Sequence, residues 1–598
     1  MRRHGWLLAP FLVAATCATL ALTVDLEGWV DFFRHPGRDP LPPTPRQGAV
    51  WWRAMLGVGA AALIAAPLAL VALAPRPSSR PERQRLGRRR LAGLLGLLAV
   101  ALLLRSLRLG ESLWYDEIAA WLSFGVYGPG PIIGNYFDPA NHVAHTLTTA
   151  WSVSLLGAGE FGLRVPALLC SLGSVVAVHA LARPVFGARV ALVAAALMAV
   201  LPVSVLEGVE ARGYSMMILG SAAATWSLLA AWHDPRPWRW CLYSGVVALG
   251  AWAHPMTVFV PLGHAVWIGW QALGSRTLGW ALPGAGGVAL GLAAVMTATL
   301  YSPALPDALG IRATLEATGA DHQPSLLGAE GVHAVLGLGG SWYGWAAAGG
   351  LLLGAVGLAA AVRDAGERRV VAAALLGLPL FVVSVAVLDT WMYARFTLFA
   401  FPGAVLLMAR GIEVAWRRKR VLGLVALGLL AAFGGADLGL RPAKQPLREA
   451  AEYVRAAREP DERVLVIGLG HRVMDAYGAD LGLAYSLRHG VDLAEKLRSV
   501  DPVWVILYYP AHVAGDRYGL LAERGYRRQE RFRGWVDWGN GDVLVYEKKR
   551  GTREGRKGTR DEGRTGGLRP APVSSLCFRP RPFLSRAATR RSGPGGWR

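Results

Sequence analysis

Apolar residues run along this chain in long blocks rather than in the alternating or one-faced patterns of a soluble fold. The blocks recur from residue 6 to about 438. Most hold roughly 17 to 25 residues, enough to cross about 30 Å of hydrocarbon as a helix. They follow no fixed repeat. In lipid every backbone N–H and C=O must find a partner within its own segment, so blocks of this length predict helices and not strands. Spans are expected at 6–24, 51–74, 91–107, 161–182, 188–206, 214–232, 238–253, 256–272, 278–300, 345–362, 370–388, 396–412 and 421–438. That is an α-helical polytopic membrane protein with about 13 spanning helices. The first block, behind Met1-Arg2-Arg3-His4, reads as a retained anchor rather than a cleaved signal, because no small-x-small site follows it.

Past residue 438 the pattern changes. Leu447–Arg458 has one apolar face, Arg463–Ile467 and Val503–Tyr508 read as buried strands, Ala494–Arg498 as part of a helix between them, and Asp542–Tyr546 as a last strand. This alternation predicts a small C-terminal α/β domain. Gly468-Leu469-Gly470 lacks the third glycine of a dinucleotide fingerprint and reads as a strand-end turn. Residues 548–598 carry 15 Lys and Arg against three acidic residues, with too little apolar content to fold, and are expected to be disordered. The resulting organisation is 1–90, two extra N-terminal spans and a basic loop; 91–440, the membrane core; 441–547, the α/β domain; and 548–598, the basic tail.

Composition agrees with the membrane class: 53% of the 598 residues are hydrophobic and 17% charged. The net charge of +22 does not point to nucleic acid, because its excess lies in the tail and in short loops between apolar blocks. Lys and Arg in such loops mark the cytoplasmic side. Arg83–Arg90, Arg183 with Arg189, Arg236 with Arg239, Arg363 with Arg368 and Arg369, and Arg417–Arg420 then all fall on one side. This holds if Asn141–Leu156 lies along the outer surface as an amphipathic or re-entrant segment. The α/β domain is then extracytoplasmic, and the membrane is of the bacterial inner type. The four cysteines, Cys17, Cys170 and Cys241 in apolar blocks and Cys577 in the tail, fit neither a disulfide framework nor a zinc site.

Charged side chains are costly at membrane depth and signify function when they gather at one face. With the basic loops inside, Asp116, Glu117, Asp138, His142, Glu210, Arg212, His254 and Arg395 all come to outer helix ends or outer loops. In Trp114-Tyr115-Asp116-Glu117 one carboxylate is suited to accept a proton from an attacking hydroxyl or amine, while the other holds a cation or polar group. The pair equally suits the amino end of a short helix over Ile118–Phe124, where negative charge is favoured. Glu210 and Tyr214, four apart, are expected on one helical face at the start of a span. The planar fork of Arg212 matches a phosphate, and Arg395 offers a second such ligand; the alternative for both is an interfacial anchor. His142 and His254 are of a type that ligates metal, but two histidines so far apart in sequence leave a divalent metal ion open.

Together these stretches resemble the membrane glycosyltransferases of superfamily C, in particular the family 39-like group of protein O-mannosyltransferases and aminoarabinose transferases. The resemblance is carried by Arg105–Glu117 (RSLRLGESLWYDE), Asn141-His142, Glu160–Pro166 (EFGLRVP), Glu210–Tyr214 (EARGY), Ala253-His254-Pro255 and Tyr393–Phe396 (YARF), in that order over residues 91 to about 545. It implies a polyprenyl-phosphate-linked sugar as donor, a protein, lipid or glycan acceptor, Asp116 as catalytic base and Glu117 as an assisting acid or metal ligand. It also implies Arg212 and Arg395 near the carrier phosphate, with His142, Glu210, Tyr214 and His254 lining the substrate site. The chain departs from the family pattern where Pro255 follows His254 and Val143 follows His142, and in its two extra N-terminal spans. The competing class is a transporter or lipid-binding protein without catalysis. A transport path carries polar residues at mid-bilayer depth, whereas here they concentrate at one face.

Overall fold

The computed structural model describes residues 5–38, 43–75, 87–274, 280–317, 343–388, 394–487, 493–510, 517–536 and 541–549. Of the expected disordered tail, residues 550–598 with Cys577 lie outside the described residues, as does Tyr393, while Lys548, expected to open the tail, ends a strand.

Two compact bodies make up the chain. The first comprises Met1–Gly110, Ala119–Leu155 and Phe161–Arg441. The second comprises Glu111–Ile118, Leu156–Glu160 and Pro442–Arg598. Residues 111–118 and 156–160, placed by sequence in the membrane core, therefore pack with the C-terminal body.

The first body is helical. Seven helices among the described residues are long and apolar enough to cross a membrane: Gly5–Thr23, Thr44–Leu73, Glu160–Val200, Tyr214–His233, Ala281–Tyr301, Ala365–Val387 and Arg395–Arg418. Helices also fill the remaining expected spans, at Arg88–Ser106, Pro237–Ala253, Phe259–Gly274, Tyr343–Ala361 and Arg420–Leu440. The chain is thus a mostly helical multi-span membrane protein. Glu160–Val200 covers two expected spans and breaks at Gly187, whose φ of 83° is open to glycine but not to an ordinary side chain. Its 21 buried residues include Ala182, Ala191, Ala194 and Ala195, small side chains that let neighbouring helices approach closely.

Val143–Leu156 forms a 14-residue helix, about 21 Å long and too short to span. It is amphipathic in the inverted sense. His145, Thr146, Thr149 and Ser152 are buried, while Trp151 and Leu155 are more than 60% exposed. Such a helix turns its polar face to the protein and its apolar face to lipid.

At the expected cytoplasmic loops the basic residues meet buried acids. Arg189 and Arg417 both reach Glu413, at 3.1 and 2.9 Å. Arg236 and Arg239 both reach Asp234, each at 3.1 Å.

The second body holds a five-stranded mixed sheet: β1 (Val464–Gly468), β2 (Ala484–Leu487), β3 (Trp504–Tyr508), β4 (Tyr526–Phe532) and β5 (Val543–Lys548), in the order β2-β1-β3-β5-β4. β1 runs parallel to β2 and β3, and β5 runs antiparallel to β3 and β4. β1 and β3 are buried at every position, as central strands require. Leu447–Ala457 supplies the amphipathic helix, burying Leu447, Ala450, Ala451 and Val454.

Candidate active site

In the helical body the structure gathers five of the expected site residues. Their neighbourhood starts from Arg105, fully buried with every guanidinium nitrogen engaged. Its Nε donates to Ser171 Oγ, and its terminal nitrogens to the carbonyls of Ala101, Met198, Ala199 and Ser204 at 3.0 to 3.2 Å. Arg105 thus satisfies the orphan carbonyls at the end of Glu160–Val200 and pins the next short helix, Pro202–Glu207, from which Glu210–Gly213 departs as a turn.

That turn corrects one expectation. The helix begins at Tyr214, and Arg212 N–H donates to the Glu210 carbonyl at 2.7 Å, so Glu210 and Tyr214 do not share a helical face. The physical reason is packing at Gly213. A Cβ there would lie 2.5 Å from the Ala253 carbonyl and 2.9 Å from His142 Nδ1, so the backbone folds under those groups instead of starting the helix early.

Arg212, His142, Tyr214 and His254 are each no more than 4% exposed, and Glu210 is 6% exposed. Arg212 donates to the Ala140 carbonyl at 2.6 Å and faces His142 Nε2 at 3.4 Å, while Gly213 N–H donates to His142 Nδ1 at 2.7 Å. The rings of His142 and His254 meet edge to face at 4.4 Å, and Tyr214 lies 5.2 Å from the first and 4.9 Å from the second. The guanidinium carbons of Arg212 and Arg395 lie 5.9 and 5.8 Å from the Tyr214 ring centre, the range of cation–π attraction. Two histidines distant in sequence are therefore adjacent in space.

Electrostatics keep both rings neutral. Burial, then the charge of Arg212, pushes His142 well below its ordinary pKa. Burial, then Arg212 and Arg395, takes His254 down to about 3. Nearby Tyr136 is pushed up to about 12, chiefly by burial. The corner brings two guanidinium groups and two neutral imidazoles around one tyrosine ring in a largely desolvated setting.

It does not suit a metal ion. Nδ1 of His142 accepts from Gly213, and Nδ1 of His254 accepts from Met256 N–H at 3.2 Å, so each neutral ring carries its proton on Nε2. Two guanidinium groups also repel a cation there. Among the described residues no group of three or more His, Cys, Asp and Glu side chains is placed to hold one.

Asp116 and Glu117 belong to the second body. Their helix runs Tyr115–Ser123, beginning three residues before the expected start. Trp114 N–H donates to Glu117 Oε2 at 3.1 Å, the return arm of a capping box, so Glu117 closes the helix that presents Asp116 in its first turn. The stretch before it is held by residues of the C-terminal body, through two of their side chains and one backbone N–H. Leu113 N–H donates to the Tyr477 hydroxyl at 2.7 Å, Tyr115 N–H to Gln445 Oε1 at 3.0 Å, and Arg448 N–H to Ser112 Oγ at 3.1 Å.

Tyr115 sits against the carboxyl ends of β1 and β3. Gly470 N–H donates to its hydroxyl at 3.3 Å, and its ring lies 5.6 Å from both His471 and Tyr509. Tyr509 adopts φ 55°, a left-handed conformation that a tyrosine holds only where packing over-determines it. Asn135, Gln445, Tyr477 and Arg448 were not singled out by sequence reasoning. Arg105 entered it only as the first residue of the Arg105–Glu117 motif, with no role of its own.

The segment that includes the helix Val143–Leu156, Arg212, Tyr214 and His254 is also where the sequence signature of a family lies. Residues 143–301 match the family described as dolichyl-phosphate-mannose-protein mannosyltransferase. The match falls inside the stretch that carries the motifs of the expected superfamily C membrane glycosyltransferases. That match covers about a quarter of the 598 residues. No curated protein matches the sequence.

Solved structures of similar fold include the archaeal oligosaccharyltransferase AglB from Archaeoglobus fulgidus, in complex with an inhibitory peptide and a dolichol-phosphate. It is 12% identical, covers 77% of this chain and 74% of its own, and has a TM-score of 0.47. ArnT from Cupriavidus metallidurans in the apo state is 13% identical over 76% of this chain and 98% of that one, with a TM-score of 0.47. The same protein bound to undecaprenyl phosphate is 14% identical over the same shares, with a TM-score of 0.45.

Proposed function

We propose that this chain transfers a hexosyl group from a polyprenyl-phosphate-linked donor to a protein, lipid or glycan acceptor at the extracytoplasmic face of a bacterial-type inner membrane. The observation that carries the reading is the arrangement of Arg212, Tyr214 and Arg395 with two neutral histidines; Arg212, Tyr214 and His254 lie within the segment that bears the mannosyltransferase signature. Guanidinium groups match the oxygens of a phosphodiester, and the carrier's hydrocarbon stays in the bilayer. The topology that goes with it has 13 spans, the amino terminus inside and the α/β domain outside. The domain limits are 1–90, 91–440, 441–547 and 548–598.

In this reaction the acceptor's oxygen or nitrogen attacks the anomeric carbon of the donor, and its proton passes to the Asp116 carboxylate. The bond from that carbon to the phosphate oxygen breaks, and its electron pair leaves with the lipid phosphate. The configuration at the anomeric carbon inverts. Arg212 and Arg395 stabilise the charge on the departing phosphate, a desolvated setting in which such donors act most strongly. Glu117 assists by holding the helix start that carries Asp116. No step is routed through a metal ion.

The deciding experiment is transfer of radiolabelled sugar from a panel of polyprenyl-phosphate donors to membrane acceptors, comparing wild type with Asp116→Asn at matched expression. Transfer by wild type that collapses in the variant establishes reaction class and base together. Equal activity in both removes Asp116 from its role. No transfer by wild type with any donor favours a transporter or lipid-binding protein.

A further inference from the structure

The two spans that precede the catalytic core are tied to the basic corner by a buried polar chain. Between the helices Leu26–Phe33 and Thr44–Leu73 lies a turn bearing His35 and Arg38. Arg38 donates to Asp307 Oδ2 at 2.6 Å and to Asn135 Oδ1 at 3.1 Å, and stacks 5.0 Å from the Phe137 ring centre. The same Asp307 oxygen accepts from Tyr136 N–H at 3.0 Å, so one buried carboxylate ties Arg38 to the backbone beside Asn135.

Asn135 is fully buried, and its amide donates to the carbonyls of Phe33 and Pro131 at 2.8 and 3.0 Å. Its own carbonyl accepts from the Asn141 amide at 2.9 Å. Asn141 stands between Ala140, whose carbonyl holds Arg212, and His142, whose Nδ1 holds Gly213. His35 adds a second anchor, its Nε2 donating to the Ser123 carbonyl at 2.6 Å while its Nδ1 accepts from Gly37 N–H.

We propose that Arg38 is a positioning residue for the donor-phosphate site. With Phe33 it fixes Asn135, and through Asn135 and Asn141 it sets the Ala140 carbonyl that holds Arg212 and the His142 imidazole that holds Gly213. The inference rests on the function proposed above and gives the N-terminal spans their role. A buried ion pair is a costly way to hold a loop, since apolar contact holds one as firmly; what Arg38 and Asp307 add is one fixed geometry. The loop 135–142 needs it, because no regular element lies between the helices Pro129–Gly134 and Val143–Leu156.

The test uses the full-length protein in lipid nanodiscs as wild type, Arg38→Ala, Arg38→Lys and Asp307→Asn. Donor KM and kcat, hydrogen exchange over residues 138–142 and 210–214, and the unfolding temperature are measured on each. Arg38→Ala is expected to raise the donor KM about tenfold with kcat changed far less, the cost of one charge-assisted hydrogen bond lost from the positioning chain. Exchange over 138–142 and 210–214 rises with it.

In Arg38 the same nitrogen, Nη1, donates to Asp307 and Asn135; Arg38→Lys keeps the charge beside Asp307 but loses the planar guanidinium that holds that nitrogen between the two, and recovers part of the affinity. Unchanged KM and exchange in Arg38→Ala overturn the proposal. So does a parallel loss of kcat, affinity and unfolding temperature in all three variants, which is ordinary destabilisation. If wild type transfers no sugar, the proposed function fails, and the exchange measurement still decides whether Arg38 holds the Arg212 turn: faster exchange at 210–214 upholds the coupling, unchanged exchange refutes it.

Discussion

The two places where chemistry is expected are built in opposite ways. The basic corner of the helical body draws on four distant stretches, around residues 140, 212, 254 and 395, and holds its charges by carbonyls, rings and burial. The Asp116 stretch of the other body is one helix start, held by its own Glu117 and by side-chain oxygens that accept its backbone N–H groups. A site that must bind a fixed anion is best preorganised and dry, whereas a base must exchange protons and stay within reach of an incoming acceptor. The exposures follow: Arg212 is 4% exposed and Asp116 is half-buried.

The comparison breaks most sharply at Asp116. As the proposed base it is worth about 10² to 10⁴ in kcat, so Asp116→Asn is expected to lose that much transfer with the unfolding temperature and donor KM little changed. If instead KM rises and kcat holds, the acid belongs with binding, and the division between the two regions is wrong.

Gly213→Ala probes the other side. The added methyl meets the Ala253 carbonyl and His142, and the neighbours are backbone and a packed ring, which cannot move away cheaply. Overpacking of this kind costs about 1 to 3 kcal/mol. The variant is expected to lose donor affinity and several degrees of unfolding temperature together. An unchanged donor KM would show that the corner is not the phosphate site.

Acid sharpens the contrast further. His254 is held neutral down to about pH 3, while the same residue in the unfolded chain takes up a proton near its ordinary pKa of 6.5. Below 6.5 the unfolded state binds the extra proton, so the stability of the folded state is full above that pH and falls as the pH drops toward 3. At pH 5 the loss is about 2 kcal/mol for this one group. His254→Asn keeps an acceptor for Met256 N–H and removes the titration. Unfolding temperature is expected to fall less between pH 7.5 and pH 5 in the variant than in wild type, and equal falls would refute the assignment.

How much of this was legible in the sequence follows from which constraint acts. Lipid demands whole helices, so every apolar block read from the chain is helical where it is described, down to the two halves joined at Gly187. The α/β domain was legible where strands are buried on both faces. β4, reading YRRQERF, was not, since an edge strand that exposes Arg527, Arg528 and Glu530 carries no apolar signal. β2 is four residues long and only partly buried, too short to announce itself.

The residue types of the basic corner were readable, because charge at an outer helix end is costly and conspicuous. Its geometry was not. That His142 touches His254, and that Asn135 and Asp307 stand behind them, depends on loops whose contacts span tens to hundreds of residues. Nor does any local pattern say that 111–118 packs with a domain more than 300 residues further on.

The smallest effect distinguishes two ways in which that packing holds Asp116. Tyr115 contributes a ring, set among His471, Tyr508 and Tyr509, and a hydroxyl that accepts from Gly470 N–H. Tyr115→Phe removes only the hydroxyl, at a cost of about 0.5 to 1.5 kcal/mol, and is expected to lower the unfolding temperature slightly with kcat within about twofold. Tyr115→Ala removes the ring as well and leaves Tyr509 in its left-handed conformation without the neighbour that packs on it. If Phe proves as damaging to kcat as Ala at equal stability, the hydroxyl and not the ring sets the helix start, and the hold on Asp116 is a hydrogen bond rather than packing.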